Sequence, residues 1–310
     1  MYNREIKERF LDQITAGGRN RNTSVKYLDA IGLYEEEIGR DFAEMSFDEA
    51  IEAIRNIKIG TYDSATSVQG FVRNYVKWCE GNRVFGCVNP ELKKISAKED
   101  IDASRYLREM WFLDESDLIN KMRTVRTFND GYYEVVVLLF AWLGIGQDKI
   151  LSIRPSDINL ENRQLLLADG GVINFSEDIA YVISEYLNTT TSTRQHNGEP
   201  TVVYRDFYGP FISKFCKRAE LGNDPLTDSQ IGSAISEMNQ DFVSMGNPGC
   251  FKYTNVANCG VARRIYELEQ SGVDVLSSKN KELIFATARL DIDRYKIKWL
   301  FRNYKRAFNL

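Results

Sequence analysis

Residues 142–158 read W-L-G-I-G-Q-D-K-I-L-S-I-R-P-S-D-I. An apolar run from Val135 to Leu143 predicts a helix that enters this stretch, and Gly144 and Gly146 break it. A second amphipathic segment follows, with Ile150, Leu151 and Ile153 on its buried side. Pro155 lacks an amide donor, and with Asp157 it ends the helix and hands the chain to a strand over Arg163–Leu167.

The neighbouring segments extend this pattern. Upstream, D-E-S-D-L opens a helix at Asp114 or Ser116. Downstream, Ala168-Asp169-Gly170-Gly171 joins the strand to a second one at Gly171–Phe175, a hairpin signal. Asp178–Leu187 is a helix with Ile179, Val182, Ile183 and Tyr186 on one face. Residues Asn188–Pro200 read as a polar loop, and Tyr204–Phe207 as short and irregular. L-T-D-S-Q-I from Leu226 begins another capped helix. In the terminal helix, Tyr295 with Trp299, and Leu300 with Tyr304, predict an apolar packing face.

The first part of the chain reads as four helices. They cover Glu5–Thr15, a segment capped at Thr23 or Ser24 and ending at Ile38-Gly39, a segment opened by the Ser46–Glu49 capping box, and one from Ser64 or Thr66 to Trp78. Val68, Phe71, Val72, Tyr75 and Val76 face inward on the last of them. Asn89-Pro90 closes this domain, and a charged connector follows. The expected organisation is a helical domain over residues 1–95, a linker over 96–112, and a second domain over 113–310.

With 310 residues the chain can bury two cores. Its formal charge of −4 is not that of a uniformly basic protein, although basic residues can still be gathered on one face. From Lys252 to the end, twelve basic residues stand against six acidic ones. No apolar run is long enough for a membrane span, and no signal peptide is expected. Five scattered cysteines read as reduced core thiols of a cytoplasmic protein. His196, the single histidine, falls in the polar loop, so neither a metal site nor a cofactor is expected.

Taken together, these segments resemble the tyrosine recombinase (phage integrase) family. The family carries T-G-L-R-x-S-E-L-x-x-L-x-W-x-D-I where this chain has Leu143, Gly144, Ile150, Ile153 and Asp157-Ile158 at the scaffold positions. The resemblance implies a mainly α fold: an N-terminal four-helix core-binding-like domain, then a helical catalytic-like domain with a small antiparallel sheet. It also implies where the chemistry should be. Gly146 stands at the first catalytic arginine. The H-x-L-R-H-T-x-A box matches Asn255–Ala262, placing Asn255 at the histidine and Asn258 at the second arginine. The closing L-G-H-x-x-x-x-T-T-x-x-Y matches the segment from Leu290, with Ile292 at the histidine and Phe301 at the nucleophile. The family's lysine on the sheet turn has no counterpart between Lys149 and Lys214.

These replacements remove the chemistry. Phenylalanine has no nucleophilic oxygen. Glycine and asparagine cannot grip a phosphate as paired guanidiniums do. No general acid remains for the leaving oxygen. What the resemblance leaves is binding of double-stranded DNA between two domains. It places Arg19, Arg21, Lys26, Arg73 and Lys77 on or before the helices that lie against DNA, and Arg154, Lys252, Arg263 and Arg264 around the vestigial phosphate pocket. Self-association through the C-terminal helix is a further implied partner.

The expected function is a non-enzymatic, sequence-specific repressor of a phage or prophage, acting in the bacterial host cytoplasm at the nucleoid. It is similar in kind to the integrase-fold master repressors of lysogeny in SP-beta-type temperate phages. Two alternatives compete. One is an active recombinase with a displaced nucleophile, Tyr295 or Tyr304, and arginines supplied by Arg154 or Arg263. The other is a helical protein-interaction module, for which the same basic residues are a solvated helical face.

Overall fold

Several helix starts in this protein follow side chains that satisfy the free amides of a first turn. The computed structural model describes residues 1–18, 20–59, 62–102, 104–125, 133–196, 199–205, 207, 210–216 and 226–310. The chain divides into two units, Met1–Arg108 and Glu109–Leu310.

The first unit contains the four expected helices: α1 (Arg4–Ala16), α2 (Arg21–Ile38), α3 (Phe47–Arg55) and α4 (Tyr62–Gly81). α2 starts before the expected Thr23, because the Asn20 side chain accepts the Thr23 amide at 3.2 Å and takes the cap. Ser46 and Glu49 form the reciprocal box, with bonds of 2.8 and 3.3 Å. All five residues expected inside α4 are buried. Phe10 meets Phe71, Tyr75 and Trp78 at ring-centroid distances of 5.8, 5.0 and 5.6 Å.

Asn89-Pro90 does not close the unit. Asn89 caps a 3₁₀ turn over Pro90–Lys94, and its amide group donates to the Met45 carbonyl at 2.8 Å. Leu92, Ile95, Ala97 and Ile101 then enter the same core as Phe10 and Phe71. The expected linker over 96–112 is therefore shared between the units: its first part packs in unit 1, whereas Trp111 and Phe112 are buried in unit 2. A short helix, α5 (Arg105–Met110), spans the division. Isolated apolar residues in a charged stretch carry no periodicity, so this packing left no sequence signal.

A charged network lies inside the first unit. Lys7, Glu35, Asp41 and Tyr75 are each no more than 1% exposed. Lys7 pairs with Glu35 and lies 4.0 Å from Asp41. Tyr75 donates to Asp41 at 2.9 Å and Asn3 donates to it at 3.1 Å. The amides of Phe42 and Ala43 donate to Glu35 and Asp41 at 2.8 and 3.1 Å. Burial nevertheless pushes the Glu35 carboxyl up to about 7, against the opposing pull of Lys7.

In unit 2, Asp114 caps α6 (Glu115–Arg123) by accepting the Asp117 amide at 2.9 Å. The apolar run becomes α7 (Tyr133–Trp142), buried throughout from Glu134 to Trp142. A helix apolar on every side belongs in the centre. Accordingly α9 (Glu177–Asn188), α10 (Asp228–Ser244) and α11 (Tyr253–Gln270) pack against it. The expected amphipathic segment after Gly146 is a single turn, α8 (Gln147–Ile150), followed by a 3₁₀ turn at Pro155–Asp157.

Strands β1 (Ile158–Asn159), β2 (Gln164–Leu166) and β3 (Val172–Asn174) form one antiparallel sheet in that order, with Leu165 opposite Ile173. Asp169 accepts the Gly171 amide at 3.0 Å in the expected turn. The polar stretch read as a loop is instead a second hairpin, β4 (Thr191–His196) with β5 (Glu199–Tyr204). His196 therefore ends a strand. Asn197-Gly198 between the strands is a strong two-residue hairpin signal that the polar composition masked.

α11 is the hub of the remaining packing and contacts α7, α12 (Lys281–Ala288) and α13 (Arg294–Phe308). Its closest approach is at Gly260, where an added Cβ would lie 2.0 Å from the Trp142 carbonyl oxygen. That oxygen is backbone, so the helices themselves must separate. Gly260→Ala is expected to cost at least the roughly 1–3 kcal/mol typical of overpacking. Urea unfolding measures this, and an unchanged midpoint would show that α7 and α11 are not in such close contact.

The cysteines are free thiols. Cys79, Cys250 and Cys259 are buried as expected, but Cys87 is exposed and Cys216 half-buried, so the core reading fails for those two.

Candidate nucleic-acid interface

The basic residues expected to face DNA separate into committed and uncommitted groups. In unit 1, Arg19 lies outside the described residues. Arg21 pairs with Glu8 and, at 2.7 Å, with Asp12, so its charge fastens α2 to α1. Arg73 donates through Nε to the Lys93 carbonyl at 2.9 Å while staying exposed. Lys26 on α2 and Lys77 on α4 are exposed, and neither forms an ion pair among the described residues.

In unit 2, Arg154 and Lys252 are exposed, at the turn before β1 and at the start of α11. Arg263 pairs with Glu267 one turn along α11, at 2.6 Å. Arg264 is a correction. Its guanidinium donates to the carbonyls of Trp142, Thr287 (3.1 Å) and Ala288 (2.9 Å). These oxygens are free because they belong to the last turns of α7 and α12, where the helix dipole also favours a cation. Burial, with Arg289 beside it, pushes Arg264 down to about 9. Arg289 donates to the Leu143 carbonyl at 3.3 Å. Gly144 permits this junction: its φ is +83°, and a Cβ there would lie 2.6 Å from Arg264 Nη2. Arg264 thus holds helix ends together and is not presented to a phosphate.

The positions matched to catalytic groups carry structural roles. Gly146 caps α8, and a Cβ there would meet Asp148 Oδ1 at 2.5 Å, so a longer side chain would start against a carboxylate. Asn255 donates to the carbonyls of Met110 and Cys250, at 2.6 and 2.9 Å. Asn258 is half-buried on the same helix. Tyr253 donates to the Ile145 carbonyl, which brings the start of α11 beside Gly146. Ile292 is half-buried ahead of α13. Phe301 is 2% exposed, in the packed face of α13, so a hydroxyl there would point into the core.

Of the alternative nucleophiles, Tyr304 is buried. Its hydroxyl donates to the Leu113 carbonyl, and burial pushes it up to about 12. Tyr295 is 88% exposed. Leu300 and Tyr304 pack as expected, and Trp299 meets Trp111 edge-on at 6.2 Å while staying 41% exposed, but Tyr295 faces outward, which corrects the predicted apolar face at that position.

Spacing alone missed one cation. Lys149 reaches across from α8 to pair with Asp169 on the β2–β3 turn at 3.1 Å. It borders a cavity of about 260 Å³ with Ser152, Asp157 and Leu166. Among the described residues no group of His, Cys, Asp or Glu could hold a metal ion. No described helix is long and apolar enough to cross a membrane.

Comparisons with known proteins bear mainly on unit 1. Residues 1–81 match the family described as MrpR, N-terminal core-binding domain. None of the curated proteins matches the chain. Among solved structures it is similar to XerA recombinase, with 12% identity, a TM-score of 0.43, and coverage of 96% of this chain and 93% of that one. It is also similar to the Tn1549 transposon integrase in complex with circular intermediate DNA: 12% identity, a TM-score of 0.39, and 95% and 94% coverage. The same integrase in complex with transposon right end DNA gives 11%, 0.38, and 96% and 94%. The first unit is thus similar to a core-binding domain, and the mostly helical second unit, with its small antiparallel sheets, has the elements expected of a tyrosine recombinase-like catalytic domain.

Proposed function

We propose that this protein is a sequence-specific double-stranded DNA-binding protein without recombinase chemistry, acting as a phage or prophage repressor that maintains lysogeny in the bacterial cytoplasm. The observation that carries the reading is the core-binding match over residues 1–81, on a unit whose α2 and α4 leave Lys26, Lys77 and Arg73 exposed. The loss of chemistry is supported by the roles found for Gly146, Asn255 and Phe301, none of which offers a guanidinium or a nucleophilic oxygen.

In this reading α2 and α4 read base edges, while Arg154 and Lys252 displace counterions without reading sequence. Arg21 and Arg264 are withdrawn from the interface because their charges are committed within their own units. Arg263 contributes only by exchanging Glu267 for a phosphate.

The test begins with genome-wide recovery of bound DNA, followed by titrations on the recovered target and a scrambled duplex across a salt series. Lys77→Ala should cost roughly 1–3 kcal/mol on the target and little on the scrambled duplex. Lys252→Ala should weaken both alike and flatten the salt slope by about 0.9. A nicked suicide substrate should yield no covalent adduct, and Phe301→Tyr should not create one.

A second reading rests on the exposure of Tyr295 and on the Lys149 ammonium at the β2–β3 turn. It is an active recombinase with a displaced nucleophile. An adduct formed by the natural protein and abolished by Tyr295→Phe would establish it. Failure to bind any DNA would leave the protein-interaction module.

A further inference from the structure

The last helix, α13, buries Ile297, Leu300, Phe301, Tyr304 and Ala307. The opposite stripe, at i, i+4, i+7 and i+11, is Tyr295, Trp299, Arg302 and Arg306. Packing accounts for this stripe only in part: the Trp299 ring meets Trp111 edge-on, with centroids 6.2 Å apart. Tyr295 is 88% exposed and Trp299 is 41% exposed, and both arginines are exposed. The helix carries Arg294, Lys296, Lys298, Arg302, Lys305 and Arg306, and no carboxylate between Arg294 and Phe308.

Part of that charge is used inward. Arg294 and Lys298 donate to the Leu276 carbonyl at 3.0 and 2.9 Å, and Lys305 pairs with Glu269 at 2.8 Å. Lys296 and Arg302 are exposed, and neither forms an ion pair among the described residues. The result is a stripe about 16 Å long in which flat aromatic faces come first and cations follow and flank them.

We propose that this outward face of α13 binds a nucleic-acid backbone, with Lys296 and Arg302 neutralising phosphates while Tyr295 and Trp299 lie against sugars or exposed bases. The charge argues for a polyanion. A dry protein interface would have to desolvate unpaired cations around the aromatic pair, which is costly. An acidic protein surface would satisfy the cations but leave the ring faces without a flat partner, whereas sugars and bases supply one. The proposal rests on the DNA-binding reading and adds the exposed side of α13, away from the buried Phe301 matched to the nucleophile.

The test uses the full chain, a mixed-sequence duplex and the single strand of the same sequence. The variants are K296Q/R302Q and, separately, Tyr295→Ala. All three side chains are exposed, and a thermal melt confirms that each variant folds. On duplex, K296Q/R302Q should flatten the slope of log K against log salt by about 1.8, which is 0.9 for each lost contact. Tyr295→Ala should leave the slope unchanged and weaken binding roughly five- to hundredfold on the strand form whose bases or sugars it covers. Trp299 emission should be quenched by either probe, and the other three tryptophans are buried.

If the parent protein binds DNA but both variants keep its slope and affinity, this face is not a DNA surface and the proposal fails alone. If polyglutamate of equal charge displaces the probe as well as DNA does, the face reads charge only and the nucleic-acid assignment is overturned. If the parent binds neither probe, the DNA-binding reading fails and takes this proposal with it.

Discussion

Cutting the chain between residues 108 and 109 should weaken binding to its DNA target by about 10²–10⁴-fold for either half relative to the whole. Of the cations expected to face DNA, those exposed and without an ion pair among the described residues are few on each side: Lys26, Arg73 and Lys77 in the first unit, and Arg154 and Lys252 in the second. A handful of phosphate contacts binds weakly at ordinary salt, because each contributes only counterion release. Joined in one chain, the second contact is intramolecular and gains an effective concentration that neither half has alone. The cut must fall after residue 101, because Ala97 and Ile101 belong to the core of the first unit. Anisotropy titrations of the two fragments, each confirmed as helical by circular dichroism, measure the loss. One fragment binding as tightly as the intact chain would show that the other unit is not a DNA partner.

Lys7→Met should destabilise the first unit by about 3–5 kcal/mol, the cost of leaving a buried charge without its partner. The substitution leaves Glu35 and Asp41 side by side, both essentially unexposed, with Tyr75, Asn3 and two amides still directed at them. Protonation offers partial relief. With Lys7 present the Glu35 carboxyl already sits at about 7, above its ordinary 4.5. Losing the ammonium removes an influence that lowers it, so the carboxyl moves further up.

The sign of the pH dependence follows from this shift. Between 4.5 and about 7 the folded chain holds a proton on Glu35 that the unfolded chain has released. The contribution of Glu35 to stability is therefore greatest below this window and is lost as pH rises through it. The variant should extend that loss to higher pH. Urea midpoints at mildly acidic and mildly basic pH test both points. Lys7→Met/Glu35→Leu should recover part of the stability, because the Glu35 charge is then gone while Asp41 still lacks its lysine. A single substitution costing under about 1 kcal/mol would mean that the ion pair is not buried as described.

The sequence by itself determined the elements whose signals are local. The Ser46–Glu49 and Thr227–Gln230 boxes, the inward faces of α4 and α9, and the Asp169-Gly170-Gly171 turn depend on residues a few positions apart, and each is where the sequence predicts it. The same holds for α7, whose unbroken apolar run can only be central.

Tertiary structure decided which charges and rings are available. Arg264 and Lys252 look alike in a basic segment, yet one is held by the ends of two helices more than twenty residues away and the other is exposed. Phe301 and Tyr295 share one helix, but neighbouring helices bury the first and leave the second in solvent. Arg21 lost its expected role to carboxylates on α1, and Lys149 reached a turn twenty residues away. Capping and periodicity are set by the chain's own geometry over one or two turns, so a sequence displays them. The commitment of a charge depends on what folding brings within about 4 Å of it, and spacing along the chain carries no record of that distance.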